Sequence, residues 1–418
     1  MEKSVIIKVE DLDVIGQLKY GNDNKSEIFL TLPLNKSHYF KKLYDNLEAF
    51  NINGQFEDDC QFTAFYCYVV QLLLPTSGSL FNDLIAVRDF YSNEESNTLI
   101  KYRIEIGKLY LNASDVNDET SVNKVDVKFS SIEQQLLNNE NKKIFIKQND
   151  CYITISNDFI TIEPLHVITL KKLNQILFDL RVFFEVFVLN NDVKIIEKFI
   201  YTVDDTKIEE VMRYKSEQLT KEEFLFRYDT NSIESILNHW FEAKNTYGKI
   251  FDYLSGILNE SSIVHLELKY FALAQWIEAY SREFLNNKIQ TIINEPVENS
   301  DDQKLLLSQS QNSNNFRKNL KDMFKLKDLK ILIGIQNSED QKIFIDQIIC
   351  YRNHLTHINI ESKLNNTQIM HLYEILKDII YILIIKELDV AIDSKRIDEI
   401  KRKYIAYKSL QNTIKKCE

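Results

Sequence analysis

The sequence predicts an α+β multidomain protein in which a β-rich N-terminal domain is followed by an all-α helical bundle. Three observations support this fold class. The chain has 418 residues, which is long for one hydrophobic core, so two domains are expected. Its first part alternates apolar and polar residues as strands do, and its last part repeats apolar residues with a helical period. The pattern changes near residue 230, which places the domains at 1–229 and 230–418.

Five segments of the first domain alternate in polarity and are rich in β-branched residues, as strands are. They span residues 4–10, 27–34, 62–74, 99–111 and 142–155. Turn-forming residues such as Gln148-Asn149-Asp150 interrupt this pattern. One segment, 167–188, has helical spacing and is predicted to be a helix that packs against the sheets.

The second domain is predicted to be helical almost throughout. The expected helices span residues 231–243, 246–258, 261–286, 315–327, 339–358, 366–388 and 393–415. The most apolar run, 379–385, has only seven residues, whereas a membrane span needs about 20. We therefore expect a buried helix there and no membrane partner. The N-terminus has no apolar targeting segment, so a cytoplasmic location is expected.

Charge is unevenly distributed along the chain. The net charge of −11 argues weakly against binding to nucleic acid. Residues 260–418, however, contain 23 Lys and Arg against 22 Asp and Glu, so the acidity belongs to the N-terminal part. Because a nucleic acid meets the local field, basic clusters in the second domain remain candidates for RNA binding. Arg317, Lys318 and Lys321 form one such cluster in the helix predicted at 315–327, although a solvated helix face is the alternative.

The cysteines predict neither a metal site nor a cofactor. Five cysteines, at 60, 67, 151, 350 and 417, are an odd number without zinc-site spacing. Buried or surface thiols in a reducing compartment are the expected interpretation. The chain also has no phosphate-binding glycine motif of the G-x-x-x-x-G-K type, so nucleotide hydrolysis is not supported.

One six-residue motif, Arg-Asn-His-Leu-Thr-His at 352–357, combines residue types that suit RNA cleavage without a metal. A capping-box pattern at 338–341 predicts that its helix begins there. The residues predicted to face the core are Phe344, Ile348, Tyr351 and Leu355. Histidine can take a proton from the ribose 2′-OH or give one to the leaving oxygen, and arginine offers paired donors to a phosphate. Arg352, Asn353 and His357 are thus the candidate catalytic residues, and a solvated helix end is the alternative.

The geometry of an α-helix limits how Arg352 and His357 can act on the same phosphate. At about 100° per residue, Arg352 lies about 140° around a straight helix from His357. One chain therefore cannot aim both groups at a single phosphate, unless the helix ends near the histidine. Two copies that face each other across a two-fold axis can, so a homodimer is expected.

This motif resembles the R-N-x-x-x-H form of the R-x4-6-H motif of HEPN domains. Ile348-Ile349-Cys350-Tyr351 and Gln275-Trp276-Ile277-Glu278 are similar to the ApeA-like HEPN subgroup. Gly16-Gln17-Leu18-Lys19-Tyr20 and Phe129-Ser130-Ser131-Ile132-Glu133 resemble the N-terminal domain that accompanies this HEPN domain in the anti-phage family. The second stretch departs from the family pattern because no tryptophan follows it.

The resemblance implies a HEPN domain at about 260–418 that dimerises and cleaves RNA as the toxin of an abortive-infection system. It implies a 2′,3′-cyclic phosphate product, a sensor or regulatory role for residues 1–229, and a possible phage-derived trigger. Arg352 and His357 match the family's catalytic pair. Two other readings remain open: a non-catalytic HEPN module that dimerises and binds RNA or protein, and an unrelated helical adaptor.

Glu278 and Arg282 also stand out, because they are spaced four residues apart on a predicted helix. A surface ion pair between them is the simpler interpretation. The alternative is that the Glu278 carboxylate orients Arg352.

Overall fold

The structure is a computed structural model of the chain. It describes residues 1–9, 12–20, 26–33, 38–46, 48–73, 99–106, 108–113, 116–129, 142–156, 159–189, 193–211, 223–224, 233–258, 265–294, 316–356, 365–392 and 394–415. Two compact units make up the chain. The first comprises Met1–Phe145, Asn149–Leu177 and Val193–Leu219, and the second comprises Ile146–Gln148, Phe178–Asp192 and Thr220–Glu418. The predicted domain boundary at 229/230 lies outside the described residues.

The first six strands of the first unit form a closed antiparallel ring. They are β1 (Glu2–Val9), β2 (Leu12–Lys19), β3 (Glu27–Pro33), β4 (Phe50–Phe56), β5 (Gln61–Leu73) and β6 (Leu99–Glu105), with helix α1 (His38–Asn46) between β3 and β4. The strand order is β4-β1-β2-β3-β6-β5, and pairing of β4 with β5 closes the ring. Alternate residues such as Ile7, Leu18 and Ile104 are fully buried, which is the burial pattern of a two-residue strand period. Glycine fits at position 16 in β2, because a Cβ atom there would lie 2.9 Å from the backbone oxygen of Phe29.

The sheet continues beyond β5 through further strands. These are β7 (Lys108–Leu111), β8 (Ser121–Phe129), β9 (Lys142–Ile146), β10 (Cys151–Ile155), β11 (Ile160–Pro164), β12 (Ile168–Thr169), β14 (Ile195–Thr202) and β15 (Lys207–Glu210). Their order from β5 is β7-β15-β14-β8-β11-β10-β9, and β12 pairs with β8. A single strand at 99–111 was the wrong prediction, because β6 pairs with β3 and β5 whereas β7 pairs with β5 and β15. The predicted helix at 167–188 is confirmed as α2 (Leu170–Phe187).

The second unit is helical, which confirms the predicted fold class. Its helices are α3 (Ile233–Tyr247), α4 (Lys249–Leu258), α5 (Leu266–Asn294), α6 (Phe316–Leu326), α7 (Leu329–Ile333), α8 (Ser338–Thr356), α9 (Asn366–Glu387) and α10 (Ser394–Lys415). One short strand pair, β13 (Val188–Leu189) and β16 (Glu223–Phe224), also belongs to this unit. Helix α9 packs against α5 and α10. Its residues 379–385 are all buried, as predicted.

Helix α8, which carries the motif, begins with a cap one residue earlier than predicted. The Oδ1 atom of Asn337 accepts a hydrogen bond from the backbone N–H of Asp340 at 2.8 Å. Asn337 is therefore the N-cap, and the predicted capping box from Ser338 to Gln341 is wrong by one position. The described part of α8 ends at Thr356, so its predicted extension to 358 lies outside the described residues. Within the described part of the chain, no helix has the length and apolar content needed to cross a membrane.

Candidate active site

Arg352 lies in the last described turn of α8, and side chains from three helices hold its guanidinium. Nη2 donates to Glu278 Oε2 on α5 at 2.6 Å, and Nη1 donates to Asn353 Oδ1 at 3.1 Å. The Gln275 amide is oriented to fit this network. Its side-chain oxygen then accepts hydrogen bonds from Nη2 and Nε of Arg352, at 3.1 Å and 3.2 Å. The centre of the guanidinium lies 5.9 Å from the Phe316 ring centroid on α6. Arg352 is therefore fixed in one orientation.

Glu278 is paired with Arg352. The sequence predicted an ion pair between Glu278 and Arg282, but Glu278 contacts Arg352. The Nε atom of Arg282 lies 3.9 Å from Oε1 of Glu283 instead. The alternative interpretation of Glu278, as the carboxylate that orients Arg352, is the one that the contacts support. Gln275 has the same role in the network and was not identified from the sequence as a site residue. Its position three residues before Glu278 puts both side chains on one face of α5 and was an available signal.

Buried aromatic residues support the motif turn from beneath. The hydroxyl of Tyr270 on α5 donates to the carbonyl of Ile348 at 3.0 Å, one turn before Arg352. The Tyr270 and Tyr351 rings meet edge to face with centroids 4.7 Å apart. Burial raises the pKa of Tyr270 well above its usual range, so its hydroxyl stays a donor. Of the predicted core face, Phe344, Ile348 and Tyr351 are buried as expected, whereas Leu355 at the end of the described helix is only half-buried.

The remaining motif residues have different surroundings. Asn353 is half-buried and accepts from Arg352, so these two predicted catalytic residues are in contact. His354 is half-buried and its ring stacks on Tyr351 with 5.8 Å between centroids. The Thr356 hydroxyl donates to the Arg352 carbonyl at 2.9 Å. His357 lies outside the described residues, so its position relative to Arg352 stays a prediction.

The predicted RNA-binding residues lie on a helix that reaches this site. Arg317 follows Phe316 at the start of α6, and its side chain is exposed and 3.3 Å from the Asp346 carboxylate on α8. Lys321 is exposed and Lys318 is half-buried on the same helix. The first turn of α6 therefore contacts both the Arg352 side chain and α8, the helix that carries it.

The described residues also bear on the predictions for metal sites and cysteines. The described residues contain no group of three or more His, Cys, Asp or Glu side chains placed to hold a metal ion. Cys60 and Cys350 are exposed free thiols, and Cys67 and Cys151 are buried free thiols. Burial raises the pKa of each of the two buried thiols to about 12, so both stay protonated near neutral pH.

Arg352 and Asn353 of the R-N-x-x-x-H sequence thus lie in the last described turn of a packed helix. Residues 271–394 match the family model described as Apea-like HEPN. The helical unit thus contains an Apea-like HEPN domain, and the match includes the whole 352–357 motif. No curated protein and no solved structure matches the chain. The predicted resemblance of residues 1–229 to the accompanying N-terminal domain lies outside the matched range and stays a prediction.

Proposed function

We propose that this protein is a metal-independent endoribonuclease of the HEPN type that acts as an abortive-infection effector against phage. The observation that carries the proposal is the fixed Arg352 guanidinium on α8, within a region that matches an Apea-like HEPN domain. Pre-oriented donors are what a site needs when negative charge builds on a phosphate. HEPN domains are generally ribonucleases, which supports RNA as the substrate.

In the proposed reaction the ribose 2′-oxygen attacks the adjacent phosphorus while the bond to the 5′-oxygen breaks. His357 removes the 2′-OH proton or protonates the leaving 5′-oxygen, since a histidine can do either near neutral pH. Arg352 donates hydrogen bonds to the phosphate oxygens as their charge increases, and Asn353 positions Arg352 or a phosphate oxygen. The products are a 2′,3′-cyclic phosphate and a 5′-hydroxyl, which balances the transferred proton.

The proposed active unit is a homodimer in the cytoplasm. The angle of about 140° between Arg352 and His357 on a straight helix favours a site to which two chains contribute. Residues 1–229 are proposed to be a sensor or regulatory domain, which either senses a phage-derived trigger or lowers the activity of the nuclease. Cleavage of host or phage RNA then stops growth of the infected cell.

The test is cleavage of a labelled RNA by the purified full chain in EDTA. His357→Ala and Arg352→Ala are expected to abolish cleavage and to leave the dimer intact in light scattering. His265→Ala is the matched control, because His265 is an exposed histidine ahead of α5. Full cleavage by both motif variants would contradict the proposal.

A non-catalytic HEPN module is the second candidate, and one observation favours it. The charge of Arg352 is already balanced by Glu278, as it would be in a structural ion pair. Expression in cells separates the two functions. The nuclease is expected to be toxic when overproduced and its His357→Ala variant harmless, whereas a binding module gives the same growth with both chains.

A further inference from the structure

The cations of α6 lie together on one face of the helix. Taking Phe316 as the origin and about 100° per residue, Arg317, Lys321, Lys325 and Lys318 fall at about 100°, 140°, 180° and 200°. The buried apolar residues Leu320, Met323 and Phe324 fall outside this arc, between about 340° and 80°. Arg317, Lys321 and Lys325 are exposed and follow one another at about 6 Å intervals along the axis. We call these four cations the basic face of α6.

This face differs in charge from the rest of the protein. Helix α6 has four basic residues and one acidic residue in eleven, whereas the whole chain has a net charge of −11. The single carboxylate, Asp322, falls at about 240°, beside Lys318, but it is buried. Burial raises the pKa of Asp322, and the neighbouring lysines counteract that rise. The outward field of α6 is therefore positive, which is the local condition for attracting a polyanion.

The basic face begins at the candidate active site. Phe316 packs beside the Arg352 guanidinium, and the next residue, Arg317, forms an ion pair with Asp346 on α8. The Arg317 side chain is exposed and the Asp346 side chain half-buried, so water screens the ion pair and a phosphate can replace its carboxylate at little cost. A strand that lies along α6 from Lys325 to Arg317 thus ends next to Arg352.

Arg352 itself is poorly suited to capture RNA from solution. Its positive charge is balanced by the Glu278 carboxylate at 2.6 Å, so its long-range attraction for phosphate is small. Affinity for the substrate must then come from other cations near the site. The basic face of α6 is adjacent and satisfies that requirement.

We propose that the basic face of α6 binds the phosphate backbone of single-stranded RNA and directs the strand to Arg352. The inference rests on the proposed function for the identity of the polyanion as RNA. In this proposal α6 binds the RNA before the reaction, and Arg352 contacts the phosphate that reacts. The two roles predict opposite kinetic effects, since loss of α6 cations weakens binding and loss of Arg352 slows the reaction.

The experiment measures binding of a fluorescein-labelled single-stranded RNA to the full chain with His357→Ala, so that the RNA stays intact. The triple variant Arg317→Gln, Lys321→Gln, Lys325→Gln is compared with a control triple variant of equal charge change. Lys171, Lys172 and Lys249, exposed lysines outside α6, are changed to Gln in that control. The salt slope of log K is expected to fall by about 2 in the α6 variant, because each phosphate contact of a single strand contributes about 0.7.

The expected affinity loss is about tenfold or more at low salt, with the control triple variant unchanged. In the cleaving chain, the α6 variant should raise KM and keep kcat at saturating RNA within about twofold. Arg317→Lys, which keeps the charge, should retain the affinity. Circular dichroism of each variant checks that the helices are formed.

Three outcomes would overturn the inference: the chain binds no RNA, the α6 variant binds with an unchanged salt slope, or the control variant loses as much affinity. These outcomes differ from a failure of the proposed function. If the chain binds RNA through α6 and never cleaves it, the binding role of α6 stands and the proposed nuclease function is wrong. If the chain cleaves RNA and the α6 variant binds RNA as well as the unsubstituted chain does, only the binding role of α6 is wrong.

Discussion

Arg352 and Glu278 form an ion pair between two helices, with 2.6 Å between Nη2 and Oε2, although 74 residues separate them in sequence. Their side chains keep 22% and 25% of their exposure, so water screens the attraction and its contribution to stability is modest. The importance of the pair is geometric. Together with Gln275 it fixes the plane of the guanidinium, and a phosphate at this site requires a fixed plane.

Replacing Glu278 with alanine is expected to lower kcat for RNA cleavage by about 10- to 100-fold, since a misplaced catalytic group costs about that much. The physical reason is that Arg352 can then adopt other rotamers. KM should change little, because the net charge of the site becomes more positive and does not weaken RNA binding. Steady-state kinetics with a defined RNA gives both constants.

The conservative variant Glu278→Gln keeps an acceptor for Nη2 and should recover part of the lost rate. Glu283→Gln is the matched control, since Glu283 lies on the same helix and contacts Arg282. Wild-type kcat in Glu278→Ala would show that Arg352 needs no support from α5.

The sequence predicted the helices of the second unit except the five-residue α7, because the longer helices repeat their buried apolar residues at helical spacing. It could not decide the partner of Glu278. A residue four positions away is always within reach on a helix, whereas contact with Arg352 depends on how α5 and α8 pack. Local signals were also ambiguous at Asn337 and Ser338, two adjacent residues that both suit an N-cap. Between β6 and β7 the only break signal is Gly107. The position of His357 is a further part of the site that only the sequence supports.

Tyr270→Phe tests the support beneath the motif turn. The substitution removes the hydroxyl that donates to the Ile348 carbonyl at 3.0 Å and leaves the ring in place. The free energy of unfolding should fall by about 1 kcal/mol, the usual net value of one such hydrogen bond. Chemical unfolding followed by tryptophan fluorescence reports on the helical unit, because Trp240 and Trp276 both belong to it. Tyr253→Phe, at an exposed tyrosine, is the control, and equal stability of both variants would contradict the expectation.

Asp378 gives a prediction for the pH dependence of stability. Burial raises the pKa of this carboxyl above its ordinary value of 3.8, although Lys403 and Arg396 counteract the rise. At pH values between 3.8 and the raised pKa of the folded state, the folded chain binds more protons at Asp378 than the unfolded chain does. Stability from this group is therefore fully present below pH 3.8 and is lost as pH rises through the folded pKa.

The measurement is the difference in unfolding free energy between the unsubstituted chain and Asp378→Asn, taken across the mildly acidic range. Asparagine does not titrate, so the advantage of the unsubstituted chain over this variant should decrease as pH rises. Glu399→Gln is the control at an exposed carboxylate that also contacts Arg396. A difference that grows with pH would show that the ion pairs with Arg396 and Lys403 outweigh burial.

Gly334 ends α7 in a backbone conformation that favours glycine. Its φ is +88°, and its N–H lies 3.2 Å from the Lys330 carbonyl. A Cβ atom added there would lie 3.0 Å from Lys401 Cγ on α10. Gly334→Ala should therefore lower the unfolding free energy by about 1–2 kcal/mol from the left-handed conformation alone, with crowding against Lys401 in addition.

Gly248→Ala separates the two causes, because Gly248 also has a positive φ of +50° and a Cβ atom there meets nothing within 4 Å. The loss at Gly334 should exceed the loss at Gly248 by the cost of moving Lys401. Lys401→Ala in the Gly334→Ala background should recover that excess and leave the backbone strain, which a double-mutant cycle measures. If both glycine variants unfold at the denaturant concentration of the unsubstituted chain, the left-handed conformation at these helix ends is not a source of strain.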